Sequence, residues 1–408
     1  MKILMVNKFL HPNGGSETYI FKLGEEFLRQ GHEVQYFGME HEKRVVGNRA
    51  EVYTGNMDFH TGKLQKLLYP FKIIYSREAY QKMWNVLEDF QPDVVHLNNI
   101  NFQLTPSVIE AVKKYRKKNQ KDVKIIATAH DYQWVCPNHM LMIPSSKQMC
   151  FACKGGKYMN CSKNKCIHNS LVKSVLGTVE AYFYQWKGTY KAVDKIICPS
   201  EFINEKLSTN PIFKDKTVTL HNFIAPDKKG ESSTKLPKLP KEYVVYFGRY
   251  AEEKGIPALL EVCKKLPHID FVFAGTGPVE REVNKVENIQ NVGFQTGSNL
   301  EQLISNAKFF VFPSQWYENC PFAVIESQLL GTPVVASDLG GTKELVAHQQ
   351  TGELYPGEDV EALEKTIEAL WQDEERIRTY RSNCKKVQFD SLEEYSRKIL
   401  DLYSYEKF

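Results

Sequence analysis

The feature that most constrains the fold of this chain is the alternation of short apolar runs with amphipathic stretches. Runs such as KILMV, DVVHL and KIIATA have the length and apolar character of buried strands. Stretches such as ETYIFKLGEEFLRQG repeat their apolar residues at helical spacing. Because strands alternate with helices, the sequence predicts an α/β fold with parallel sheets covered by helices on both faces.

The alternation is interrupted near residue 225. Residues 225–243, APDKKGESSTKLPKLPKEY, are polar and rich in Pro, Lys and Ser, which is typical of a linker or an exposed loop. A second alternating series follows, and 408 residues are enough for two domains. We therefore predict two doubly wound domains, residues 1–224 and 225–390, with a ligand site in the cleft between them.

Charge and hydropathy exclude several classes of protein. The formal net charge of +4 is too small to indicate a nucleic-acid partner. The sequence contains no apolar run long enough for a spanning helix. The start, MKILMVNKF, lacks the long apolar region and cleavage site of a signal peptide, which predicts a cytoplasmic protein.

Candidate binding residues follow the first two strands of the second half. FGRYAEEKG places Arg249 and Lys254 beyond one strand, and FAGTGP places Gly275 and Gly277 beyond the next. An arginine and a lysine at this edge can neutralise a diphosphate, and glycines let backbone approach a ring or a phosphate. Taken alone, the arginine and lysine are better explained by an ordinary surface loop, and a single G-x-G is weak evidence for a site.

The stretch WYENCPFAVIESQLLG carries two glutamates in a segment that otherwise indicates burial. Glu318 lies in the loop that leaves the predicted strand FFVFPS, and Glu326 lies in the helix that begins around Pro321. The amides of Phe322 and Ala323 at the helix start can receive a phosphate, and a carboxylate can accept hydrogen bonds from sugar hydroxyls. The alternative is a pair of solvent-facing glutamates on an ordinary helix.

The first half has corresponding features. HPNGGSETY places Gly14 and Gly15 ahead of a helix, for which Ser16 is the predicted N-cap. These glycines could bring backbone to a phosphate or an acceptor, and the alternative is an ordinary strand-to-helix turn. IIATAHDYQWVCP places His130 and Asp131 at the end of another strand, although a lone histidine is more often structural than catalytic.

The segments GRYAEEKG, AGTGP, VFPS, the two glutamates separated by seven residues, and GTPVVASDLGGTKELV resemble, in this order and spacing, the retaining glycosyltransferases of family four. The resemblance covers most of the chain, and its specific motifs lie in the second half. It implies the GT-B fold, in which two Rossmann-like domains face each other across a cleft. The N-terminal domain would then lie on the acceptor side, with the C-terminal helix, residues 391–408, packed back on it.

The resemblance also implies roles for individual residues. Arg249 and Lys254 match the positions that hold the donor diphosphate, and Glu326 matches the glutamate that binds the donor ribose. Glu318 matches the glutamate beside the transferred sugar, and His130 matches a histidine near the outer hydroxyls of that sugar.

The sequence departs from the family where a glycine-rich segment follows the first glutamate. Asn319, Cys320 and Pro321 stand there instead, and Pro321 has no N–H to donate. No D-x-D motif flanks the expected donor site, so we expect no catalytic metal. Arg249, Lys254 and the helix-start amides would then stabilise the leaving group.

The resemblance implies an enzyme that transfers a hexose or N-acetylhexosamine from a UDP- or GDP-sugar to a glycan or lipid-linked oligosaccharide in surface polysaccharide synthesis. Two other functions fit the same features. One is a nucleotide-sugar epimerase of the same fold, which needs no acceptor. The other is a non-catalytic sugar-nucleotide-binding module organised around a metal site.

Five of the nine cysteines lie within residues 136–166. Cys150, Cys153, Cys161 and Cys166 have the spacing of thiolate ligands of a structural metal, and Cys136 could replace any of them. The sequence favours zinc over an iron–sulfur cluster, and the alternative is a set of free cysteines. Because this insertion follows His130, we expect it on the acceptor side.

Two stretches combine basic residues with large apolar residues, as segments that lie on anionic membranes do. One is TGKLQKLLYPFKIIYSREAYQKMW, and the other is SLVKSVLGTVEAYFYQWKGTYK. They predict peripheral contact with the inner membrane surface, which suits a lipid-linked acceptor. The alternative is a set of core helices with charged outer faces. The basic residues of the first stretch are Lys63, Lys66, Lys72, Arg77 and Lys82.

Overall fold

The structure is a computed structural model that describes residues 1–55, 74–224 and 236–404. It divides into two compact units, one formed by Met1–His221 with Leu392–Phe408 and the other by Asn222–Ser391. The sequence-based boundaries lie at 224/225 and 390/391.

The first unit contains a sheet of six parallel strands in the order β2-β1-β3-β4-β7-β8. A short antiparallel ribbon, β5 with β6, lies in the cysteine-rich segment. The strands are β1 (Lys2–Val6), β2 (Glu33–Phe37), β3 (Val94–Leu97), β4 (Lys124–Thr128), β5 (Met142–Ile143), β6 (Gln148–Met149), β7 (Lys195–Cys198) and β8 (Thr217–Thr219). The helices are α1 (Gly15–Arg29), α2 (Arg77–Phe90), α3 (Ser107–Asn119), α4 (Met159–Lys163), α5 (Leu171–Trp186) and α6 (Glu201–Ser208).

The second unit contains another sheet of six parallel strands, in the order β11-β10-β9-β12-β13-β14. The strands are β9 (Val244–Phe247), β10 (Phe271–Ala274), β11 (Ile289–Asn291), β12 (Phe309–Phe312), β13 (Val334–Ser337) and β14 (Gly352–Tyr355). The helices are α7 (Ile256–Lys265), α8 (Glu280–Val283), α9 (Gly297–Asn306), α10 (Phe322–Leu329), α11 (Thr342–Leu345), α12 (Val360–Gln372) and α13 (Glu374–Cys384).

Strands β9, β10, β12 and β13 are buried at every residue, as expected of a parallel sheet with helices on both faces. Two apolar clusters lie in this unit, and they take alternate residues of β9: Val244 and Tyr246 belong to one, Val245 and Phe247 to the other. The predicted α/β fold with two doubly wound parallel sheets is confirmed. In both units, the candidate residues lie in or beside the loops that follow the carboxyl ends of the strands.

The last helix, α14 (Leu392–Tyr403), packs on α1 within the first unit. The Tyr395 hydroxyl lies 3.0 Å from the Tyr19 hydroxyl, and the Tyr403 hydroxyl lies 2.6 Å from Nδ1 of His96. Burial lowers the pKa of His96 from 6.5 to about 3, so this histidine stays neutral at physiological pH. The C-terminal helix is therefore joined to the sheet by a buried polar network.

Among the described residues, none of the helices has both the length and the hydropathy needed to cross a bilayer.

Candidate functional site

Lys254 is the last residue of a short 3₁₀ turn, Glu252–Lys254, that follows β9. Gly255 ends this turn with a φ of +74°, and a Cβ built on it would lie 1.8 Å from the carbonyl oxygen of Pro313. Only glycine tolerates both the left-handed conformation and this close approach. The turn that carries Lys254 is therefore packed directly on the end of β12.

Lys254 and Glu318 form a partly buried ion pair. The Nζ atom of Lys254 donates to Oε1 of Glu318 at 2.6 Å, and the Ser314 hydroxyl donates to the same oxygen at 2.8 Å. The Lys254 and Glu318 side chains are 31% and 16% exposed, so solvent screens the pair only in part. The structure thus brings together two residues that the sequence assigned to one site.

The loop that carries Glu318 is held from its other side by two glycines. The amide of Gly341 donates to the carbonyl oxygen of Glu318 at 2.7 Å. Gly340 has a φ of +61°, and a Cβ on it would lie 2.4 Å from that oxygen. The Ser337 hydroxyl donates to the carbonyl oxygen of Ser314 at 2.7 Å, which fixes the start of the same loop.

Sequence reasoning did not assign site roles to Ser314 or Gly340. The sequence feature that could have indicated such roles is their position in the motifs VFPS, for Ser314, and SDLGGT, for Gly340. These motifs lie at the ends of β12 and β13, which are neighbours in the sheet. Carboxyl ends of parallel strands meet at one edge, so residues in such positions are candidates to support the loops between them.

Arg249 is exposed and pairs with Glu253 four residues later. Exposed ion pairs of this kind contribute little and exchange partners readily. Arg249 and Lys254 thus sit at the same edge of the sheet, each beside a carboxylate. The diphosphate-binding role of Arg249 stays a prediction.

Gly275 and Gly277 are explained by packing between neighbouring loops. A Cβ on Gly275 would lie 1.9 Å from the carbonyl oxygen of Gly248, and one on Gly277 would lie 2.3 Å from that of Tyr250. The amide of Tyr250 also donates to the carbonyl oxygen of Thr276 at 2.9 Å. These glycines bring the loops after β9 and β10 together, and their contact with a ligand stays a prediction.

The helix α10 begins at Phe322, with Pro321 as its N-cap residue and no capping side chain among the described residues. The amides of Phe322 and Ala323 therefore lie at the uncapped start of the helix, as the phosphate-binding prediction requires. Cys320 is buried, and its Sγ atom accepts from the amide of Asn222 at 3.2 Å. The departure from the family's glycine-rich segment is thus accommodated inside the fold.

Glu326 is exposed and lines a cavity of about 240 Å³ between α9, α10 and the residues before the linker. Phe322 and Glu301 line the same cavity, and most of its other walls are apolar. Glu318 is not among the lining residues, so this cavity does not bring the two glutamates together. The apolar residues are Phe223, Ile224, Leu300, Ile304, Ile325, Leu329 and Leu330.

In the first unit, α1 begins at Gly15, with Gly14 as the N-cap residue. The predicted N-cap, Ser16, is wrong, because Ser16 lies inside the first turn, where its hydroxyl donates to Glu17 at 2.9 Å. A Cβ on Gly14 would meet only Oε2 of Glu17 at 3.6 Å, an ordinary contact distance. Packing alone does not require glycine at this position.

His130 lies at the end of β4, as predicted. Its Nε2 atom is 2.8 Å from Oδ1 of Asn98, and its ring meets the Tyr19 ring edge-on at 4.9 Å. Burial lowers the pKa of His130 to about 3, so a role in binding sugar hydroxyls would use the neutral ring. Asp131 accepts from the amide of Gln133 at 2.9 Å, which holds the following turn.

A small polar cavity of about 20 Å³, lined by Glu180, Trp134 and His139 among others, lies near this edge of the first sheet. The buried indole N–H of Trp134 has no hydrogen-bond partner among the described residues. Burial raises the pKa of Glu180 to about 8. Sequence reasoning missed this carboxyl group because nothing in its helix marks it as buried.

The cysteine prediction is only partly matched. Cys153, Cys161 and Cys166 share one buried cluster with Tyr158 and Ala181, whereas Cys150 is half-buried. In the described parts of the chain, no three His, Cys, Asp or Glu side chains are arranged to hold a metal ion. The structure therefore does not support the predicted zinc site.

The first predicted membrane stretch is only partly described. Lys63, Lys66 and Lys72 lie outside the described residues. Arg77 begins α2, and Lys82 pairs with Glu78 of the same helix at 2.8 Å. Five apolar residues of α2 are buried, so its described part is a core helix with a charged outer face.

Two parallel sheets of six strands, with charged residues in the loops at their carboxyl edges, define a protein of two Rossmann-like domains. Residues 13–228 match the model of Glycosyltransferase Family 4, and residues 228–387 match that of Glycosyl transferases group 1. The chain belongs to this glycosyltransferase family and has the GT-B fold.

Named relatives agree with this assignment. The chain is 23% identical to an uncharacterised protein of the cps region of Klebsiella pneumoniae, over 85% of this chain and 87% of that one. It is 27% identical to the putative colanic acid biosynthesis glycosyltransferase WcaL of Salmonella typhimurium, over 44% of this chain and 43% of that one.

Solved structures share the fold over almost the whole chain. Sucrose-phosphate synthase from Thermosynechococcus elongatus superimposes with a TM-score of 0.68 at 19% identity, covering 99% of this chain and 98% of that one. HepE of Anabaena, solved in complex with UDP and glucose, gives a TM-score of 0.66 at 16% identity and covers 99% of each chain. At these identities the likeness concerns the fold.

Proposed function

We propose that this glycosyltransferase takes its sugar from a nucleoside-diphosphate sugar and transfers it, with retention, to a glycan or lipid-linked acceptor in polysaccharide synthesis. The observation that carries the proposal is the Lys254–Glu318 pair, held by Ser314 and Gly341 at the carboxyl edge of the second sheet. WcaL and the amylovoran glycosyltransferase AmsK of Erwinia amylovora support the polysaccharide context. HepE supports a UDP-linked donor, with GDP as the alternative to test.

The charges at this edge suit a diphosphate leaving group. As the bond from the sugar to the diphosphate breaks, negative charge grows on the diphosphate oxygens. Lys254, Arg249 and the uncapped amides of Phe322 and Ala323 supply positive charge and N–H donors to those oxygens. Glu318, hydrogen-bonded to Lys254, fixes the direction in which that ammonium points.

The donor ribose is assigned to Glu326. This carboxylate belongs to the fifth residue of α10, at the start of the second helical turn, and lies at the wall of the 240 Å³ cavity. A carboxylate accepts hydrogen bonds from two neighbouring hydroxyls, and the apolar walls beside it suit a flat base. Phosphates at the start of α10 and ribose at Glu326 would lie along one helix.

Nucleotide binding tests the site directly. UDP and GDP are titrated calorimetrically into wild type, Lys254→Met and Glu326→Gln. We expect each substitution to weaken binding about tenfold or more, because a charge-assisted contact is lost. Lys265→Met and Glu361→Gln, which remove exposed residues of ion pairs on α7 and α12, are the matched controls. Unchanged affinity in both site variants, with the fold intact, would remove the assignment.

An acceptor-dependence assay separates transfer from the rival functions. Release of nucleoside diphosphate only when an acceptor glycan is added indicates transfer. Conversion of the donor sugar without acceptor indicates an epimerase. Nucleotide binding without turnover under both conditions indicates a binding module.

A further inference from the structure

Helix α5 presents an unusual number of apolar side chains to solvent. Trp186 is 85% exposed, Val172 is 70% exposed and Leu171 is 53% exposed. Val175 and Val179 are also among the exposed large apolar residues. A helix on a protein surface normally turns polar residues outward, so this face calls for an explanation.

These residues form a continuous stripe. Leu171, Val175, Val179 and Trp186 are spaced by four, four and seven residues, which places them on one side of the helix. Val172 widens the same side, and the five residues are called the α5 stripe. The opposite side is anchored in the first unit by the buried residues Ser174, Gly177, Thr178, Ala181 and Tyr184.

The neighbouring helix extends the α5 stripe. The amide of Met159 lies 3.4 Å from the Tyr182 hydroxyl, and the Met159 side chain is 52% exposed. Helix α4 therefore adds an apolar side chain beside the stripe rather than covering it.

The surroundings of the α5 stripe are strongly cationic. Residues 150–191 contain seven lysines and a single acidic residue, Glu180, whose carboxyl group has its pKa raised by burial. Lys187 lies 3.5 Å from Glu110, which neutralises one of these charges. The lysines are Lys154, Lys157, Lys163, Lys165, Lys173, Lys187 and Lys191, and all are exposed.

We propose that the α5 stripe and its surrounding lysines form a docking surface for an anionic lipid bilayer. Exposed leucine and valine side chains insert at the boundary between headgroups and acyl chains, and tryptophan is favoured at that depth. The lysines meet the negative surface of the leaflet. An exposed apolar helix face flanked by basic residues is the feature of an interfacial helix.

A second copy of the chain fits this face poorly. A symmetric contact through the α5 stripe would set the lysines of one copy against the same lysines of the other, and like charges in contact are unfavourable. A bilayer with anionic headgroups supplies the opposite charge instead. The docking proposal does not depend on the proposed function, because binding of the chain to a bilayer is measured without donor or acceptor.

Vesicle co-sedimentation tests the proposal. The probe is vesicles of phosphatidylcholine with about one third phosphatidylglycerol, compared with pure phosphatidylcholine vesicles. We expect the wild-type chain to sediment with the anionic vesicles and to remain largely free with the neutral ones. Trp186→Ala should weaken vesicle binding about tenfold, and Val175→Asp with Val179→Asp should abolish it. Phe294→Ala, which removes another exposed aromatic side chain, should leave vesicle binding unchanged.

A charge variant completes the test. Lys165→Glu with Lys173→Glu should weaken binding to anionic vesicles and leave the thermal unfolding profile of the chain intact. Equal sedimentation with both vesicle types, or vesicle binding by Trp186→Ala equal to wild type, would overturn the proposal. The chain could instead form a concentration-dependent dimer that does not bind vesicles and is lost in the Val175→Asp, Val179→Asp variant. That result would assign the surface to a second copy.

Discussion

Gly340→Ala is the substitution that most directly tests how the Glu318 loop is built. Gly340 has a φ of +61°, and a Cβ at this position would lie 2.4 Å from the carbonyl oxygen of Glu318. That oxygen also accepts the 2.7 Å hydrogen bond from the amide of Gly341. A methyl group must therefore push the Glu318 loop away from the loop after β13.

The structure sets the expected magnitude. An alanine in the left-handed region costs about 1–2 kcal/mol relative to glycine. The methyl group must then move about 1 Å to reach an ordinary contact distance, which breaks a hydrogen bond whose net contribution is about 1 kcal/mol. We expect a loss of about 2–3 kcal/mol in stability, and a displacement of this size near the reacting groups can reduce transfer about a hundredfold.

Gly31→Ala is the matched control, because Gly31 has a φ of +84° and nothing within 4 Å of a built Cβ. Calorimetric unfolding and donor-dependent transfer are measured for both variants. Gly31→Ala should lose about 1–2 kcal/mol and keep its activity. If Gly340→Ala loses no more stability than Gly31→Ala and transfers sugar at the wild-type rate, the loop is not held as described.

A further prediction concerns the buried His96 of the first unit. Its pKa is about 3 in the folded chain and 6.5 in the unfolded chain, so between these pH values only the unfolded chain binds a proton at this residue. The free energy of unfolding should therefore keep its full value above pH 6.5 and fall by up to about 5 kcal/mol as the pH is lowered towards 3. Thermal unfolding of wild type and His96→Gln across this range should show a shallower decline in the variant, and equal slopes would contradict the assignment.

Much of the fold could be predicted from the sequence because parallel sheets buried on both faces leave a strong local signal. The strands of the second sheet, such as FVFA and FFVF, are continuous apolar runs, and the helices between them are amphipathic. The same topology rule placed the candidate residues after strands. The family resemblance supplied the identity of the motifs, which local patterns could not.

The contacts that shape the site could not be predicted in the same way. Lys254 and Glu318 are 64 residues apart, and their pairing depends on the order in which β9 and β12 lie side by side. Gly275 and Gly277 were assigned to ligand approach, and the structure adds a packing reason for glycine that the sequence did not reveal, because the loop after β9 lies against both residues. The prediction of Ser16 as the N-cap was wrong because α1 begins two residues earlier, with Gly14 as its N-cap residue.

If Lys254 and Glu318 belong to the donor site, as proposed, their pairing should affect nucleotide binding and sugar transfer differently. A carboxylate against a lysine lowers the positive potential that a diphosphate would meet, so Glu318 should weaken nucleotide binding even as it orients the ammonium. If orientation matters more during transfer than in the bound state, Glu318→Gln should bind UDP as well as or better than wild type and transfer sugar more slowly. Weaker binding of an intact UDP-sugar, with UDP binding unchanged and transfer slower, would instead place Glu318 in direct contact with the transferred sugar. The two outcomes distinguish a Glu318 that positions Lys254 from a Glu318 that contacts the transferred sugar.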